Sequence, residues 1–92
     1  MIKSWANRST QRFAEEGKSR FSGLDEALAR RRLRLLDEAD RLEDLTGLAS
    51  VGLHMLHGNR RGQWAISAGG SWRITFEFRN GDAWNVEIVD YH

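Results

Sequence analysis

The sequence predicts an α+β fold in which N-terminal helices pack on one face of an antiparallel β-sheet. Apolar residues recur at helical spacing in the first half of the chain, and from Val51 onward the period changes to two. The later segments are separated by short turn signals, which favour hairpins over long crossover connections. Helices should therefore come first and pairing strands should follow.

Length and composition fit a single domain over residues 1–92. The chain is 40% hydrophobic and 29% charged, and it contains no cysteine, so disulfide frameworks and cysteine zinc sites are excluded. No apolar run reaches the roughly 18 residues of a membrane span, and no signal peptide is recognised. We expect a cytoplasmic protein with no membrane partner.

Charge is distributed unevenly, although the formal net charge is only +1. Residues 1–22 hold five Lys or Arg and two Glu, whereas residues 25–44 hold seven acids and five Arg. The net charge alone gives no reason to expect a nucleic-acid partner. A basic face and a solvated surface of mixed charge are both compatible with it.

The chain begins with a predicted edge strand and a short helix. The strand is Ile2–Trp5. The helix is expected to start at one of three N-cap candidates, Asn7, Ser9 or Thr10, and to stop at Gly17.

A longer helix is expected next. Ser22 and Asp25 resemble a capping box, and the helical pattern ends at Gly47, which gives a helix of about 20 residues. The acid-rich stretch Asp37–Asp44 leaves open a break into two helices. The apolar stripe expected to face the core is Leu24, Leu28, Leu35, Leu36, Ala39 and Leu42.

Two turn signals organise the predicted sheet. Gly69-Gly70 should make a tight turn, and Asn80-Gly81 should make a type I′ hairpin turn, because both of its residues tolerate positive φ. The predicted strands are Val51–Leu56, Gln63–Ser67, Ser71–Phe78 and Ala83–Tyr91. In the third strand, one face should be core (Trp72, Ile74, Phe76, Phe78) and the other open (Arg73, Thr75, Glu77, Arg79).

The last three residues, Asp90-Tyr91-His92, can all transfer protons or form hydrogen bonds. His92 could gain and lose a proton near neutral pH, and Asp90 could orient its ring. The alternative is a strand that ends in a core tyrosine and two solvated polar groups.

Five further residues could contact a phosphate or an RNA strand. His54 and His57 precede the glycine-bounded loop Gly58–Gly62, whose Arg60 and Arg61 could bind phosphate together with backbone N–H groups. The loop could equally be a solvated connection. Arg73 lies on the open face of the third strand, where it could snorkel to water or border a site.

A metal site is the competing interpretation. His54, His57, Asp90 and His92 are acceptable ligands for zinc or manganese. However, two histidines three positions apart on a strand point to opposite faces. We therefore expect neither a metal nor another cofactor.

Several of these segments together resemble the HigB branch of the RelE/ParE toxins. They cover the whole chain in order, and the tryptophan–arginine strand and the final triplet are the most specific. The segments are Met1-Ile2-Lys3-Ser4, Leu53-His54, Gly58–Gly62, Trp72-Arg73-Ile74-Thr75-Phe76 and Asp90-Tyr91-His92.

The resemblance implies a RelE/ParE-like fold, with helices on one side of a curved antiparallel sheet. It further implies a metal-free endoribonuclease that cleaves mRNA in the ribosomal A site. The expected partners are the bacterial ribosome, mRNA and a HigA-like helix-turn-helix antitoxin, with DNA contacted only through that antitoxin. The positions matching the family's functional pattern are His54, Arg73, Asp90, Tyr91 and His92.

Two positions depart from the family pattern. Met55 stands where a proline often follows the histidine, and His57 stands where a lysine often precedes the glycine loop. Either Arg60 or Arg61 supplies the missing charge, or activity depends more on pH. Two other functions stay open: a ParE-like inhibitor of DNA gyrase, and a non-enzymatic module that binds RNA or the ribosome.

Overall fold

The computed structural model describes residues 1–47 and 49–91, which confirm the α+β class. Helices α1 (Arg8–Glu16) and α2 (Glu26–Glu38) precede all four strands. The strands form one sheet in the order β1-β2-β3-β4, and every neighbouring pair is antiparallel. They are β1 (His54–Met55), β2 (Trp64–Ser67), β3 (Trp72–Arg79) and β4 (Asp82–Asp90). Within the described ranges, neither helix has the length and apolar character that crossing a bilayer requires.

Helix α1 begins and ends as the sequence predicts. Among the three N-cap candidates, Asn7 has the role, since its side chain accepts a hydrogen bond of 2.9 Å from the Thr10 N–H. Gly17 ends the helix with a φ of 72°, a conformation that costs glycine little. The helix buries Thr10 and Phe13 against the rest of the protein.

The predicted N-terminal cap of α2 is wrong. Asp25 is itself the N-cap, because its carboxylate accepts a hydrogen bond of 3.1 Å from the Leu28 N–H. No capping box with Ser22 is therefore needed. The predicted apolar stripe is right in part. Leu24, Leu36 and Ala39 are buried, but Leu28, Leu35 and Leu42 are only half-buried, and the unpredicted Ala29 and Leu33 are buried in their place.

Helix α2 has 13 residues, not about 20, and the break predicted as the alternative is present. Ala39 adopts an extended backbone, and a 3-10 turn follows at Leu42–Leu45. The Asp44 carboxylate accepts hydrogen bonds from the N–H groups of Asp40 (2.9 Å) and Arg41 (3.1 Å). These bonds lower the pKa of Asp44 below its ordinary value and stabilise the break.

The first sheet strand is shorter than predicted. Val51 closes a 3-10 turn, Ala49–Val51, and Gly52 turns the chain with a φ of 61°. Only His54 and Met55 then pair with β2. Pairing with β2 therefore begins after Gly52 and does not reach Val51.

Both predicted turns are present. Asn80 (φ 52°) and Gly81 (φ 80°) connect the paired residues Arg79 and Asp82, as a type I′ turn requires. At the other turn, the Trp72 N–H donates to the Gly69 carbonyl at 2.9 Å.

The N-terminal segment covers the outer edge of β4. Ile2 and Trp5 form isolated parallel bridges with Ala83 and Val86, so the predicted edge strand is confirmed only as two bridges. The Val86 N–H donates to the Ser4 carbonyl at 3.0 Å. An otherwise unpaired sheet edge is thereby protected.

One buried cluster contains residues of both helices and of the sheet. Ile74 pairs with Ile88 and with Ile66, and paired residues project to the same face. Their side chains belong to the same buried cluster as the helix residues Phe13 and Leu36. Burying each large side chain of this kind contributes roughly 1.5–3 kcal/mol before entropy is subtracted.

A β-bulge at Asn85 sets the register of β4. Glu77 pairs with Trp84, whereas Thr75 pairs with Glu87, so β4 contains one extra residue between these pairs. Asn85 has a φ of 53°. Because neighbouring side chains alternate between faces, this insertion decides which face every later β4 residue occupies.

Candidate functional site

The candidate site lies on the face of the sheet away from the core cluster. Strand register defines this surface, which we call the open face. One row crosses all four strands at His54, Ala65, Thr75 and Glu87, and the adjacent row contains Ser67, Arg73 and Val89. Ala65 and Thr75 in the middle of the first row are fully buried. We call the strip between His54 and Glu87, roughly 14 Å long at three strand spacings, the trough.

His54 borders the trough with one ring nitrogen engaged. Its Nδ1 lies 3.0 Å from the Gly52 carbonyl oxygen. A carbonyl only accepts hydrogen bonds, so Nδ1 carries the proton and, in the neutral ring, Nε2 keeps a lone pair. The side chain is exposed. His54 can therefore accept a proton through Nε2.

Arg73 occupies the open face as the sequence predicts. Its Nη1 donates to the carbonyl oxygens of Gly70 and Trp72, both at 2.8 Å. These two bonds fix the guanidinium beside the β2–β3 turn. Among the described residues, Nε and Nη2 have no hydrogen-bond partner, so one edge of the cation is available to an anion.

Arg60 crosses the trough from the glycine loop. The loop contains a 3-10 turn, Gly58–Arg60. Arg60 Nη1 lies 3.2 Å from Gln63 Oε1, 3.4 Å from Thr75 Oγ1 and 3.5 Å from Glu87 Oε1. It thus spans from the start of β2 to β4. The prediction that this face of β3 is uniformly open is wrong at Thr75, which is fully buried.

The other two residues predicted to bind RNA are more peripheral. Arg61 is exposed and its N–H donates to the Gly58 carbonyl at 3.1 Å. His57 is also exposed and precedes the 3-10 turn. Neither side chain has a hydrogen bond or ion pair within the part of the chain that the structure describes. Only Arg60, of these three, is held over the sheet.

The C-terminal triplet divides between the two faces. Asp90 pairs with Trp72 and so projects to the face opposite Arg73, and its carboxylate accepts a hydrogen bond from the Ser71 hydroxyl. Tyr91 is partly exposed, and its N–H donates to the Ser71 carbonyl at 2.8 Å. Strand alternation continued from Val89 assigns Tyr91 to the open face. The predicted acid/base His92 lies outside the described residues.

Two of the ligands considered for a metal site lie at opposite edges of the sheet. His54 is on β1 at one edge, whereas Asp90 ends β4 at the other edge. Within residues 1–47 and 49–91, no three His, Asp or Glu side chains come close enough to hold a metal ion together.

Glu87 and Thr75 are not among the residues that the sequence predicts for the site. The available signal is the pattern of β4, in which Glu87 lies between the apolar Val86 and Ile88. The face that Glu87 occupies depends on the bulge at Asn85. The sequence offers a reason to expect this bulge, because without it Val86 and Ile88 would project away from the core.

A separate groove lies between the helices and the N-terminal segment. It has a volume of about 410 Å³ and is lined partly by Ile2, Trp5 and Leu33. None of the candidate site residues lines it.

Comparison with known proteins identifies the family. The model of the family described as "RelE-like toxin of type II toxin-antitoxin system HigB" matches residues 3–92. The chain is also 37% identical over 93 residues to Endoribonuclease HigB of Proteus vulgaris, with the whole of both chains covered. Together with the helix-then-sheet order and the arginine-bearing open face, these matches establish that the chain belongs to the HigB-like toxins of type II toxin–antitoxin systems.

Proposed function

We propose that the protein is a ribosome-dependent endoribonuclease that cleaves mRNA in the ribosomal A site and thereby arrests translation and growth. The observation that carries the proposal is the open face, where His54 shares one surface with Arg60 and Arg73. The name of the Proteus vulgaris relative, an endoribonuclease, supports the same reaction.

The reaction needs no more than acid–base and electrostatic groups. The 2′-oxygen of a ribose attacks the adjacent phosphorus, and the bond from phosphorus to the 5′-oxygen breaks. A base takes the 2′-proton, an acid protonates the leaving 5′-oxygen, and cations stabilise the charge on the phosphorane. The products are a 2′,3′-cyclic phosphate and a 5′-hydroxyl end.

The open face supplies two of these groups. His54 transfers a proton through Nε2, because Nδ1 is bonded to the Gly52 carbonyl. Arg73 presents its Nε–Nη2 edge to the phosphorane oxygens, because Nη1 is held by backbone carbonyls.

The C-terminal triplet supplies the rest. His92 is the leading acid/base. Asp90 projects to the face opposite Arg73, where the Ser71 hydroxyl holds it, so its role is to orient the terminal histidine and not to contact the phosphate. Tyr91 stacks on a base or aims the 2′-hydroxyl. These roles follow the family pattern that the triplet matches.

Arg60 is the best candidate for the charge that a lysine at position 57 would supply. It is held over the trough by Gln63, Thr75 and Glu87, whereas Arg61 and His57 are exposed. We assign Arg60 to a substrate phosphate, and Arg61 and His57 to outer contacts with RNA or the ribosome.

Family membership implies an antitoxin as partner. We propose that it is a HigA-like helix-turn-helix protein, through which the toxin contacts DNA only indirectly. The toxin is one domain over residues 1–92, with its helices on one face of a curved sheet, and it acts in the bacterial cytoplasm.

The test is cleavage of mRNA on programmed bacterial ribosomes, with ribosome-free mRNA alongside and the ends mapped by primer extension. We expect cuts confined to the A-site codon that appear only when ribosomes are present. Intact mRNA in both samples, from a protein that still arrests growth, would overturn the proposal. Accumulation of cleaved DNA in expressing cells would then identify gyrase as the target, and ribosome binding without cleavage would identify a blocking module.

A further inference from the structure

Glu87 is an unexpected residue in the middle of a face proposed to bind RNA, since a carboxylate repels phosphate. It is only 26% exposed and is held from two sides. Its Oε1 lies 3.5 Å from Arg60 Nη1, and its Oε2 accepts a hydrogen bond of 3.3 Å from Asn7 Nδ2. The carboxylate is therefore fixed in position between the glycine loop and the start of α1.

Arg60 needs such an anchor. Its backbone belongs to a three-residue 3-10 turn between Gly58 and Gly62, both of which have positive φ. A glycine-bounded turn of this length leaves the side chain of Arg60 free to point away from the sheet. The contacts that keep it over Thr75 are all made by Nη1, and Glu87 is the charged one among them.

The anchoring leaves the rest of the cation available. No acceptor in residues 1–47 and 49–91 contacts Nε or Nη2 of Arg60, and the side chain is 35% exposed. The Nε–Nη2 edge is one of the two edges by which arginine binds a phosphate through two parallel hydrogen bonds. Glu87 thus engages one corner of the guanidinium without occupying this edge.

We infer that Glu87 is a positioning residue for RNA cleavage, which holds Arg60 over Thr75 with its Nε–Nη2 edge turned to a substrate phosphate. The inference rests on the proposed function. Its consequence is that Glu87 assists cleavage through Arg60, although its own charge disfavours RNA binding.

The test is a double-mutant cycle of Glu87→Ala and Arg60→Ala, read as the single-turnover cleavage rate at saturating programmed ribosomes. Saturation removes the gain in RNA affinity that comes with losing a negative charge. We expect Glu87→Ala to lower the rate about 10-fold, since misplacing a phosphate ligand is costly. In the Arg60→Ala background, the same change should alter the rate by less than about 2-fold, because the residue it positions is gone.

Two further variants separate positioning from general effects. Glu87→Gln keeps the acceptor oxygen that Arg60 uses, and should restore the rate to within about 3-fold of the wild type. The matched control is Glu77→Gln, which removes another negative charge of the open face, 32% exposed and 3.6 Å from Arg79, but keeps an oxygen that can accept the hydrogen bond from Asn85. It should leave the rate within about 2-fold.

Equal losses from Glu87→Ala with and without Arg60 would overturn the inference, and so would a Glu87→Ala variant as fast as the wild type. The NMR signal of the Arg60 Nε–H group gives a readout that does not require cleavage. It should shift or broaden in Glu87→Ala and stay unchanged in Glu77→Gln. A wild-type chain that fails to cleave mRNA on ribosomes would contradict the proposed function. An unchanged Arg60 signal in Glu87→Ala would contradict the positioning role of Glu87.

Discussion

The hydroxyl of Thr10 accepts a hydrogen bond of 3.1 Å from the backbone N–H of Ile88, which lies 78 positions later in the chain. Thr10 is fully buried on α1, and Ile88 belongs to β4, two residues before the C-terminal triplet. The bond continues the protection of the outer β4 edge beyond the bridges of the N-terminal segment. It thereby fixes the strand that carries Glu87 and Asp90.

Replacing Thr10 with valine should destabilise the protein by about 1–3 kcal/mol, because the Ile88 N–H would stay buried without an acceptor. Valine matches threonine in shape, so packing changes little. The free energy of unfolding in urea measures the loss. Thr10→Ser keeps the hydroxyl and should cost less than about 1 kcal/mol. A Thr10→Val variant as stable as the wild type would show that the hydrogen bond to the Ile88 N–H contributes nothing at this position.

His54→Ala should lower ribosome-dependent cleavage by about 10²- to 10⁴-fold, the usual contribution of a general acid–base residue. Binding to programmed ribosomes should stay within a few-fold of the wild type, as measured by co-sedimentation. His57→Gln is the comparison, because His57 is an exposed histidine three positions away without a hydrogen-bonded side chain among the described residues. As a proposed outer contact, it should affect ribosome binding more than the cleavage rate at saturation. A greater loss of cleavage for His57→Gln than for His54→Ala would show that His54 is not the histidine that transfers the proton.

Arg73→Lys should lower the cleavage rate at least about 10-fold although the positive charge is kept. The guanidinium can bind the carbonyls of Gly70 and Trp72 through Nη1 and a phosphate through its other nitrogens, whereas lysine has a single nitrogen. Single-turnover cleavage on ribosomes measures the effect. Arg79→Lys, at the far end of the same β3 face, should remain within about 2-fold of wild type. Full activity of Arg73→Lys would mean that a point charge suffices.

The stability contributed by Asp44 should depend on pH in acid solution. Its pKa is lowered by hydrogen bonds from the N–H groups of Asp40 and Arg41, so the folded state favours the charged carboxylate. The contribution is complete above the ordinary aspartate pKa of about 4 and is lost as the pH falls through the lower folded-state pKa.

Asp44→Asn should therefore lower the melting temperature at neutral pH, and its deficit relative to wild type should shrink as the pH is lowered from 5 to about 2. Thermal unfolding followed by circular dichroism over this range measures the difference. Glu43→Gln, the exposed neighbour within the same 3-10 turn, should show no such convergence. A deficit for Asp44→Asn that is constant with pH would mean that the carboxylate charge is not what stabilises the break after α2.

Local sequence features determined the helices, the turns and the pairing of the last two strands. Asn7 and Gly17 delimit α1, and Asn80-Gly81 closes the β3–β4 hairpin, because each of these residues acts on the few residues beside it. The predicted long helix and the predicted Val51–Leu56 strand failed for a related reason. At Asp44 and Gly52, a local signal that ends regular structure competes with a longer periodic pattern of apolar residues. In both places the local signal prevails.

The identity of the family, and with it the set of candidate site residues, also came from the sequence. The order of motifs along the chain suffices for this, because members of a family keep their functional side chains at matching positions. The position of His54 on the open face and the exposure of its ring, by contrast, depend on how β1 pairs with β2.

Only the tertiary structure decided which side chains meet on the open face. If the hairpin register set at Asn80-Gly81 continued without interruption, Thr75 would pair with Val86, and Glu87 would project into the core. The bulge at Asn85 shifts the register by one residue, which places Glu87 beside Thr75 and Val89 beside Arg73. The Arg60–Glu87 ion pair then joins positions 27 residues apart. Local propensity cannot specify such a contact, because it exists only once both strands and the loop are packed.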